Sequence, residues 1–383
     1  MRKMKDSGIE WIGEIPEGWE VAPVKRLCTM QAGKNLTSEQ IAPEGIYPVY
    51  GGNGIRGFFS DYNCDGQFLT VGRQGALCGN VHKINGKVWA TEHAVITTPS
   101  SYTTLDFLYY LLIGMDLNQY VSSTAAQPGL AVGTLLNLKT CYPCSTLEQT
   151  QISNYLNAKC SEIDVMLTKT RASIEEYKNL KQTVITQAVT KGVRGEREMK
   201  DSGVEWIGEI PAAWDVAKAK YCVTITHGSD PKTEGSIPVY GSGAESFKTC
   251  GEYKEGPTVL IGRKGATLHI PHYIEGKYWN VDTAFDVKAK NNFSLPYYYY
   301  LATSFDYKFY IAQTTLPGMT QSNYYNMFLP FPTFPEQEEI VNYLDAKCAE
   351  IDKLIAKKEQ LVKELESYKK SLIYEVVTGK REV

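Results

Sequence analysis

The chain has 383 residues, a formal net charge of −3, 43% apolar residues and 22% charged residues. That length exceeds what one hydrophobic core organises and predicts two globular domains with connecting elements. The near-neutral charge excludes a uniformly basic nucleic-acid coat, and no apolar run has the length of a membrane span.

The first residues lack the apolar core of a secretory signal. Nine cysteines, an odd number without the spacing of a disulfide framework, predict free thiols in a reducing cytoplasm.

The chain opens with Met4-Lys-Asp-Ser-Gly-Ile-Glu-Trp-Ile-Gly-Glu-Ile-Pro16, then Trp19. From Met199 to Pro211 it says this again, followed by Trp214, and only Ile9 and Val204 differ. This is an internal repeat. Its Gly, Pro and Trp predict an irregular segment in which Trp11, Trp19, Trp206 and Trp214 pack against the domains or the helix ends.

The region after each opening repeats in outline. Tyr47-Pro-Val-Tyr-Gly51 matches Ile237-Pro-Val-Tyr-Gly241, Val71-Gly-Arg-Gln-Gly-Ala76 matches Ile261-Gly-Arg-Lys-Gly-Ala266, and Gly86-Lys-Val-Trp89 matches Gly276-Lys-Tyr-Trp279. Short β-branched and aromatic runs between Gly, Asn and Pro predict strands and turns. One helix is expected in each copy, at 105–112 and 296–302. Each region is therefore an α+β domain.

Pro-rich hinges, Cys141-Tyr-Pro-Cys144 and Pro330-Phe-Pro-Thr-Phe-Pro335, are expected to lead into two long helices over 148–190 and 336–378. In the first, Leu156, Cys160, Ile163, Leu167, Thr170, Ile174, Tyr177, Lys181, Val184 and Ala188 alternate spacings of four and three. In the second, Leu344, Cys348, Ile351, Ile355, Lys358, Val362, Leu365, Lys369, Leu372 and Val376 keep the same register. This is the seam of a coiled coil, roughly 60 Å long at 1.5 Å per residue. Each helix is the expected partner of the other, with Thr170, Lys181, Lys358 and Lys369 as polar positions that fix register or mark frayed or partner-facing segments.

No catalytic constellation is present: no phosphate loop, no His-Glu-x-x-His, no Gly-x-Ser-x-Gly, and neither a methyltransferase nor a nuclease motif. Cys141-x-x-Cys144 has no second pair to make a zinc site. Of the five histidines only His82 and His272 match between copies, and a shared structural hydrogen bond is the simpler reading of them than a metal. No metal and no cofactor are expected.

Arg73 and Arg263 sit in the matched turns, where Arg suits phosphate or a guanine edge or else pins the turn through carbonyl hydrogen bonds. Being common to both copies, they are expected to serve as scaffold or backbone contacts. Readout should fall where the copies diverge: Asn53, Ile55 and Arg56 against Ser242, Gly243, Glu245 and Ser246, Gln74 against Lys264, and Lys34 and Asn35 against His227, Ser229 and Lys232.

The doubled Lys-Asp-Ser-Gly-x-Glu-Trp-Ile-Gly-Glu-Ile-Pro segment resembles the specificity subunits of type I restriction–modification enzymes. So does Glu-Gln-x-x-Ile-x-x-Tyr-Leu-x-Ala-Lys-Cys-x-Glu-Ile-Asp, at 148–164 and 336–352. The resemblance covers the whole chain. It departs at Cys144-Ser-Thr-Leu147, where the family has a Pro-rich entry to the helix. It implies two α+β target-recognition domains separated by two long antiparallel coiled-coil helices, in a pseudo-two-fold internal repeat. The divisions are 1–145 and 192–333 for the segments with recognition domains, and 146–191 and 334–383 for the helices.

It also implies a subunit without catalysis of its own. Each domain would read half of a bipartite site in double-stranded DNA, with two methyltransferase subunits docked on the helices and motor-endonuclease subunits as further partners. A non-catalytic coiled-coil scaffold presenting two ligand-binding domains would share this architecture. A lone nucleic-acid enzyme is the third class, and the missing motifs count against it.

Overall fold

The repeated opening segment folds as a two-stranded hairpin. Met4–Asp6 (β1) pairs antiparallel with Glu14–Pro16 (β2), and Asp6 accepts a 2.9 Å hydrogen bond from the Gly8 amide. Gly8 and Gly13 take φ of 65° and 71°, which side chains with a Cβ rarely adopt. The segment predicted to be irregular is therefore an ordered hairpin closed by its glycines. The structure, a computed structural model, describes residues 2–74, 78–121, 129–243, 245–265, 267–307, 310 and 318–383.

The chain divides into two compact units, Met1–Thr170 with Gln360–Val383, and Arg171–Glu359. In the first, β3 (Trp19–Pro23), α1 (Val24–Leu27), β4 (Cys28–Ala32), β5 (Tyr47–Gly51), β6 (Gly54–Phe59), β7 (Gln67–Gly72), β8 (Val81–Asn85), β9 (Trp89–Ala90) and β10 (Ala94–Pro99) follow in order. Then come α2 (Leu105–Gly114), α3 (Val132–Asn137), β11 (Lys139–Pro143) and the long α4 (Thr146–Lys191), whose residues from Arg171 on belong to the second unit. An antiparallel sheet of order β4-β10-β7-β8 stands beside a smaller sheet of order β6-β5-β9.

The second unit repeats this. It has β12 (Met199–Asp201), β13 (Glu209–Pro211), β14 (Asp215–Lys218), α5 (Ala219–Cys222), β15 (Val223–His227), β16 (Ile237–Tyr240), β17 (Ser246–Cys250) and β18 (Lys254–Glu255). After these come β19 (Thr258–Gly262), β20 (His272–Ile274), β21 (Lys277–Asn280), β22 (Ala284–Ala289), α6 (Leu295–Ser304), α7 (Gln321–Asn326), β23 (Phe328–Phe331) and α8 (Phe334–Val377). Its sheets are β15-β22-β19-β20 and β17-β16-β21-β18. Each domain thus carries short helices besides the one expected. Among the described residues no helix is long and apolar enough to cross a membrane.

The first expected hinge is strand as far as Pro143 and the second as far as Phe331, with Phe334 and Pro335 already in α8. Lys139–Pro143 pairs with Trp19–Pro23, and Phe328–Phe331 with Asp215–Lys218. A two-stranded edge tolerates proline where a central strand would lose a ladder hydrogen bond. Where the first helix entry departs from a Pro-rich one, Ser145 closes the turn, its hydroxyl and carbonyl accepting from the amides of Glu148 and Gln149.

Each domain shares its core with the helices. Leu69, Val71, Val95, Phe107 and Leu111 cluster with Ile152, Leu156, Ile163, Leu372 and Val376, and in the second unit Val259, Ile261, Phe285, Tyr298 and Leu301 cluster with Ile185, Val189, Ile340 and Leu344. Each such side chain, fully buried, contributes about 1.5–3 kcal/mol. The heptad seam holds at every position. Leu156, Cys160, Ile163, Leu167, Ile174, Ala188, Leu344, Cys348, Ile351, Leu372 and Val376 are buried, and Thr170, Tyr177, Lys181, Val184, Ile355, Lys358, Val362, Leu365 and Lys369 are half-buried.

The helix segments run antiparallel within each unit. In the first, Lys369 meets Asp164 while Arg2 joins Glu148 to Glu382; in the second, Lys181 meets Asp352 while Arg194 meets Glu339. The polar seam positions are therefore partnered: two make ion pairs, the Lys358 ammonium lies 5.5 Å from the Tyr177 ring centroid, and the Thr170 hydroxyl donates to the Met166 carbonyl.

The helix starts are tied down by residues common to both copies. Glu148 accepts from Trp19 Nε1 at 3.1 Å and pairs with Arg2, and Glu336 accepts from Trp214 Nε1 at 2.9 Å and pairs with Arg197. Buried Gln149 accepts from the Thr104 amide and donates to the carbonyls of Tyr102 and Pro143. Gln337 does the same with the Ser294 amide and the carbonyls of Asn292 and Pro332.

Candidate nucleic-acid interface

In the first domain the candidate loops are drawn together by backbone hydrogen bonds at one end of the small sheet. β5 lies parallel to β9, and the Thr91 amide donates to the Tyr50 carbonyl at 2.9 Å. The Lys34 amide donates to the Ala90 carbonyl at 2.9 Å, and Trp89 Nε1 donates to the Lys34 carbonyl at 3.2 Å. Gly33 is required there, since a Cβ would collide with the carbonyls of Ala90 and Thr91. The Arg73 amide donates to the His93 carbonyl at 2.9 Å, and a Cβ on Gly52 would lie 3.0 Å from the Gln74 carbonyl oxygen. Asn80 Nδ2 donates to Asn53 Oδ1 at 2.7 Å. Lys34, Asn35, Asn53 and Arg56 are exposed at this end, with Arg73 and Gln74 half-buried.

The second domain builds the same end. The Val281 amide donates to the Tyr240 carbonyl, the Ser229 amide to the Asn280 carbonyl, the Arg263 amide to the Thr283 carbonyl at 2.8 Å, and Trp279 Nε1 to the Ser229 carbonyl at 2.7 Å. The hydroxyls of Ser242 and Thr267 are 3.2 Å apart, and the His227 ring packs edge-on against Phe285.

Lys232 is not brought to this cluster. Its amide donates to Glu252, beyond the far end of β17 from the turn, and the Thr233 hydroxyl and the Lys232 amide hold that carboxyl down to about 2. Gly75 and Ala76 of the first Arg turn and Ala266 of the second lie outside the described residues.

The two arginines behave differently. Arg263 pins its turn, donating to the Asp282 carbonyl at 3.2 Å and pairing with the Asp282 carboxylate. In the first copy Glu92 stands at the place of Asp282 and faces His93 instead, 3.1 Å away. The hydrogen bond expected of His82 and His272 is not made at Nε2, which in both rings is buried without a partner among the described residues. Burial holds both imidazoles below their ordinary value. All nine cysteines are free, and burial pushes the Cys28 and Cys141 thiols up to about 12.

Sequence reasoning missed a second difference between the copies. Beneath His227, the Lys254 ammonium donates to the His227 carbonyl at 3.4 Å, to Asn280 Oδ1 at 2.8 Å and to Asp286 Oδ2 at 3.1 Å. Tyr278 and Thr226 also donate to Asp286. In the first domain the matching places hold Cys64, Ala90, Ile96, Val88 and Gln31, most of them part of a small apolar cluster around Phe68. An isolated Lys in an otherwise polar loop carries no signal of such a pair.

Two copies of one α+β domain, each presenting the same loop cluster and sharing its core with antiparallel helix segments, define a protein built to offer two related recognition surfaces. The family model for the type I restriction modification DNA specificity domain matches residues 16–176 and 214–364, and the chain belongs to that family. The EcoprrI type I restriction enzyme specificity subunit of Escherichia coli is 46% identical over 121 residues, a stretch spanning 30% of this chain and 30% of that relative.

Among solved structures, a chain from work on complex assembly and conformational transition of the type I R-M system matches with a TM-score of 0.72 at 13% identity, covering 96% of this chain and 99% of that one. The HsdS subunit from Thermoanaerobacter tengcongensis matches with a TM-score of 0.51 at 14% identity, over 98% and 100% of the two chains. At these identities the likeness is one of fold.

Proposed function

We propose that this chain is the sequence-reading subunit of a type I restriction–modification assembly. Each domain reads one half of a bipartite site in double-stranded DNA through the loop cluster described above. The two helices set the spacing between the half-sites and dock two methyltransferase subunits, and motor-endonuclease subunits join the restricting complex. The chain carries out no catalysis by itself and acts in the cytoplasm, which its free thiols suit.

The observation that carries this reading is the doubling of one backbone arrangement with unlike side chains. Lys34 and Gln74 in one copy stand where Ser229 and Lys264 stand in the other, beside a four-stranded sheet that is repeated strand for strand. Reading two different half-sites requires that combination. Two linked readers also gain effective concentration only at the right spacing. The net charge of −3 leaves much of the phosphate contact to partner subunits.

Gel shifts with and without methyltransferase subunits test the reading: the lone chain binds DNA weakly and the complex binds a bipartite site. Exchanging residues 20–145 for those of another family member changes one half-site only. Lengthening both helices by matched whole heptads changes the spacer and neither half-site. Methylation by the lone chain, or a change in both half-sites on exchange, would refute it.

A further inference from the structure

The register of the β5–β6 hairpin shifts by one residue, with Val49 opposite Gly57 and Tyr50 opposite Ile55. Arg56 is the extra residue of a β-bulge. The β16–β17 hairpin shifts at the same point, Val239 opposite Lys248 and Tyr240 opposite Ser246, so Phe247 is the extra residue there. A bulge leaves its extra residue outside the ladder and re-aims its side chain.

In both copies that side chain lies across the glycine that follows the tyrosine of the preceding strand, Tyr50 or Tyr240. A Cβ on Gly51 would collide with Arg56 Cδ, and a Cβ on Gly241 would lie 3.7 Å from Phe247 Cε1. Position and backbone are shared while the chemistry is opposite: a guanidinium in one copy, a phenyl ring 59% exposed in the other. Aligning the copies by their glycines pairs Arg56 with Ser246 and hides the correspondence. The bulge reveals it.

We propose that these two bulge residues are specificity determinants of the two half-sites. Arg56 reads a guanine in the first, and Phe247 packs on the C5-methyl of a thymine in the second. A guanidinium matches the two acceptors on a guanine edge, whereas a phenyl ring has no hydrogen-bonding group to offer and suits the thymine methyl. Both stand among the residues already gathered at the loop cluster, Phe247 beside the turn of Ser242 and Arg56 beside that of Asn53. The Lys248 ammonium, 5.5 Å from the Phe247 ring centroid, flanks it as a cation suited to a positioning phosphate contact. The assignment rests on the DNA-reading function proposed above.

The test uses the full chain assembled with its methyltransferase subunits. Methylated sites in genomic DNA are read first with the unaltered chain. Failure to methylate a bipartite site would count against the DNA-reading function itself and is thereby separated from the bulge assignment.

Given the site, each thymine of the second half-site is replaced in turn by deoxyuridine, which lacks only the methyl. One replacement weakens binding about fourfold, the worth of a buried methyl-sized group, and a Phe247→Ala complex does not distinguish the two bases. Phe247→Arg shifts the second half-site toward guanine and leaves the first unchanged, and Arg56→Phe alters only the first. Tyr253→Ala, at an aromatic 52% exposed and outside the cluster, alters neither. A second half-site indifferent to every deoxyuridine, or a Phe247→Ala loss equal for all sequences, would overturn the proposal. The deoxyuridine series needs no variant, so a second half-site indifferent to it overturns the Phe247 assignment even where a variant fails to fold.

Discussion

The Lys369 ammonium sits 2.6 Å from Asp164 Oδ1 across the helix seam, and Lys181 repeats the contact with Asp352 at 2.6 Å in the other unit. A lysine at a core position of a coiled coil lowers stability and specifies register. Here its charge leaves the seam sideways, onto an aspartate at a solvated position of the partner.

The pair is partly exposed, so its coupling is about 0.2–1 kcal/mol. Lys369→Asp alone should destabilise the first unit, and adding Asp164→Lys should recover part of the loss. A double-mutant cycle in urea measures this. Coupling that survives unchanged in high salt would contradict an ion pair of this exposure.

Gln149→Leu leaves the Thr104 amide and the Tyr102 and Pro143 carbonyls without their partner, the last of them buried. The expected cost is about 2–4 kcal/mol, against near-neutral substitutions at exposed helix sites. Gln337→Leu should act alike in the second unit, and thermal unfolding of each variant reads both.

Lys254→Ala strips Asp286, whose side chain is 4% exposed, of its cation and should cost about 3–5 kcal/mol. Replacing the pair together, Lys254→Cys with Asp286→Ile, reproduces what the first domain holds as Cys64 and Ile96 and should cost less. Chemical denaturation distinguishes the two. A double variant as unstable as the single one would mean that the ion pair is not the element at issue.

His82 and His272 are held by burial below the ordinary value of 6.5. Acid therefore protonates the unfolded chain first. Their contribution to stability is fully present above 6.5 and is lost as pH falls through that value toward the folded pKa. Urea midpoints should fall between about pH 7.5 and about pH 5.5, and His82→Gln with His272→Gln should flatten the slope. An unchanged slope would assign the acid sensitivity to other groups.

Arg2 Nε lies 3.3 Å from Glu382 Oε1, so the two ends of the described chain meet. The opening segments are offset by 195 residues and the helices by 188, which makes the junction of Gly195 and Glu196 equivalent to the gap between residues 383 and 1. A linker of a few residues, at about 3.3–3.6 Å each, spans that gap. A permutant joined there and opened between the exposed Gly195 and Glu196 should fold, assemble and recognise the same site, as methylation mapping would report. Loss of one half-site in a folded permutant would show that the two junctions are not equivalent.

The duplication, the helices and the seam are legible in the residues alone. Periodicity is a local property, and Leu156 through Val376 fall on one stripe whatever surrounds them. Glycine also marked the turns at 51–54 and 241–243, because it interrupts the strand pattern locally. Tertiary structure decided what local pattern leaves open. The first part of each expected hinge became strand because Trp19–Pro23 and Asp215–Lys218 lie beside them, a pairing more than a hundred residues apart in the chain. Lys181 and Lys369 are seam positions in either reading, and only the aspartates opposite make them ion pairs. The correspondence of Arg56 with Phe247 depends on a one-residue shift in strand register. A bulge adds one unpaired residue to one strand of a pair, and nothing in the spacing along the chain marks which residue that is.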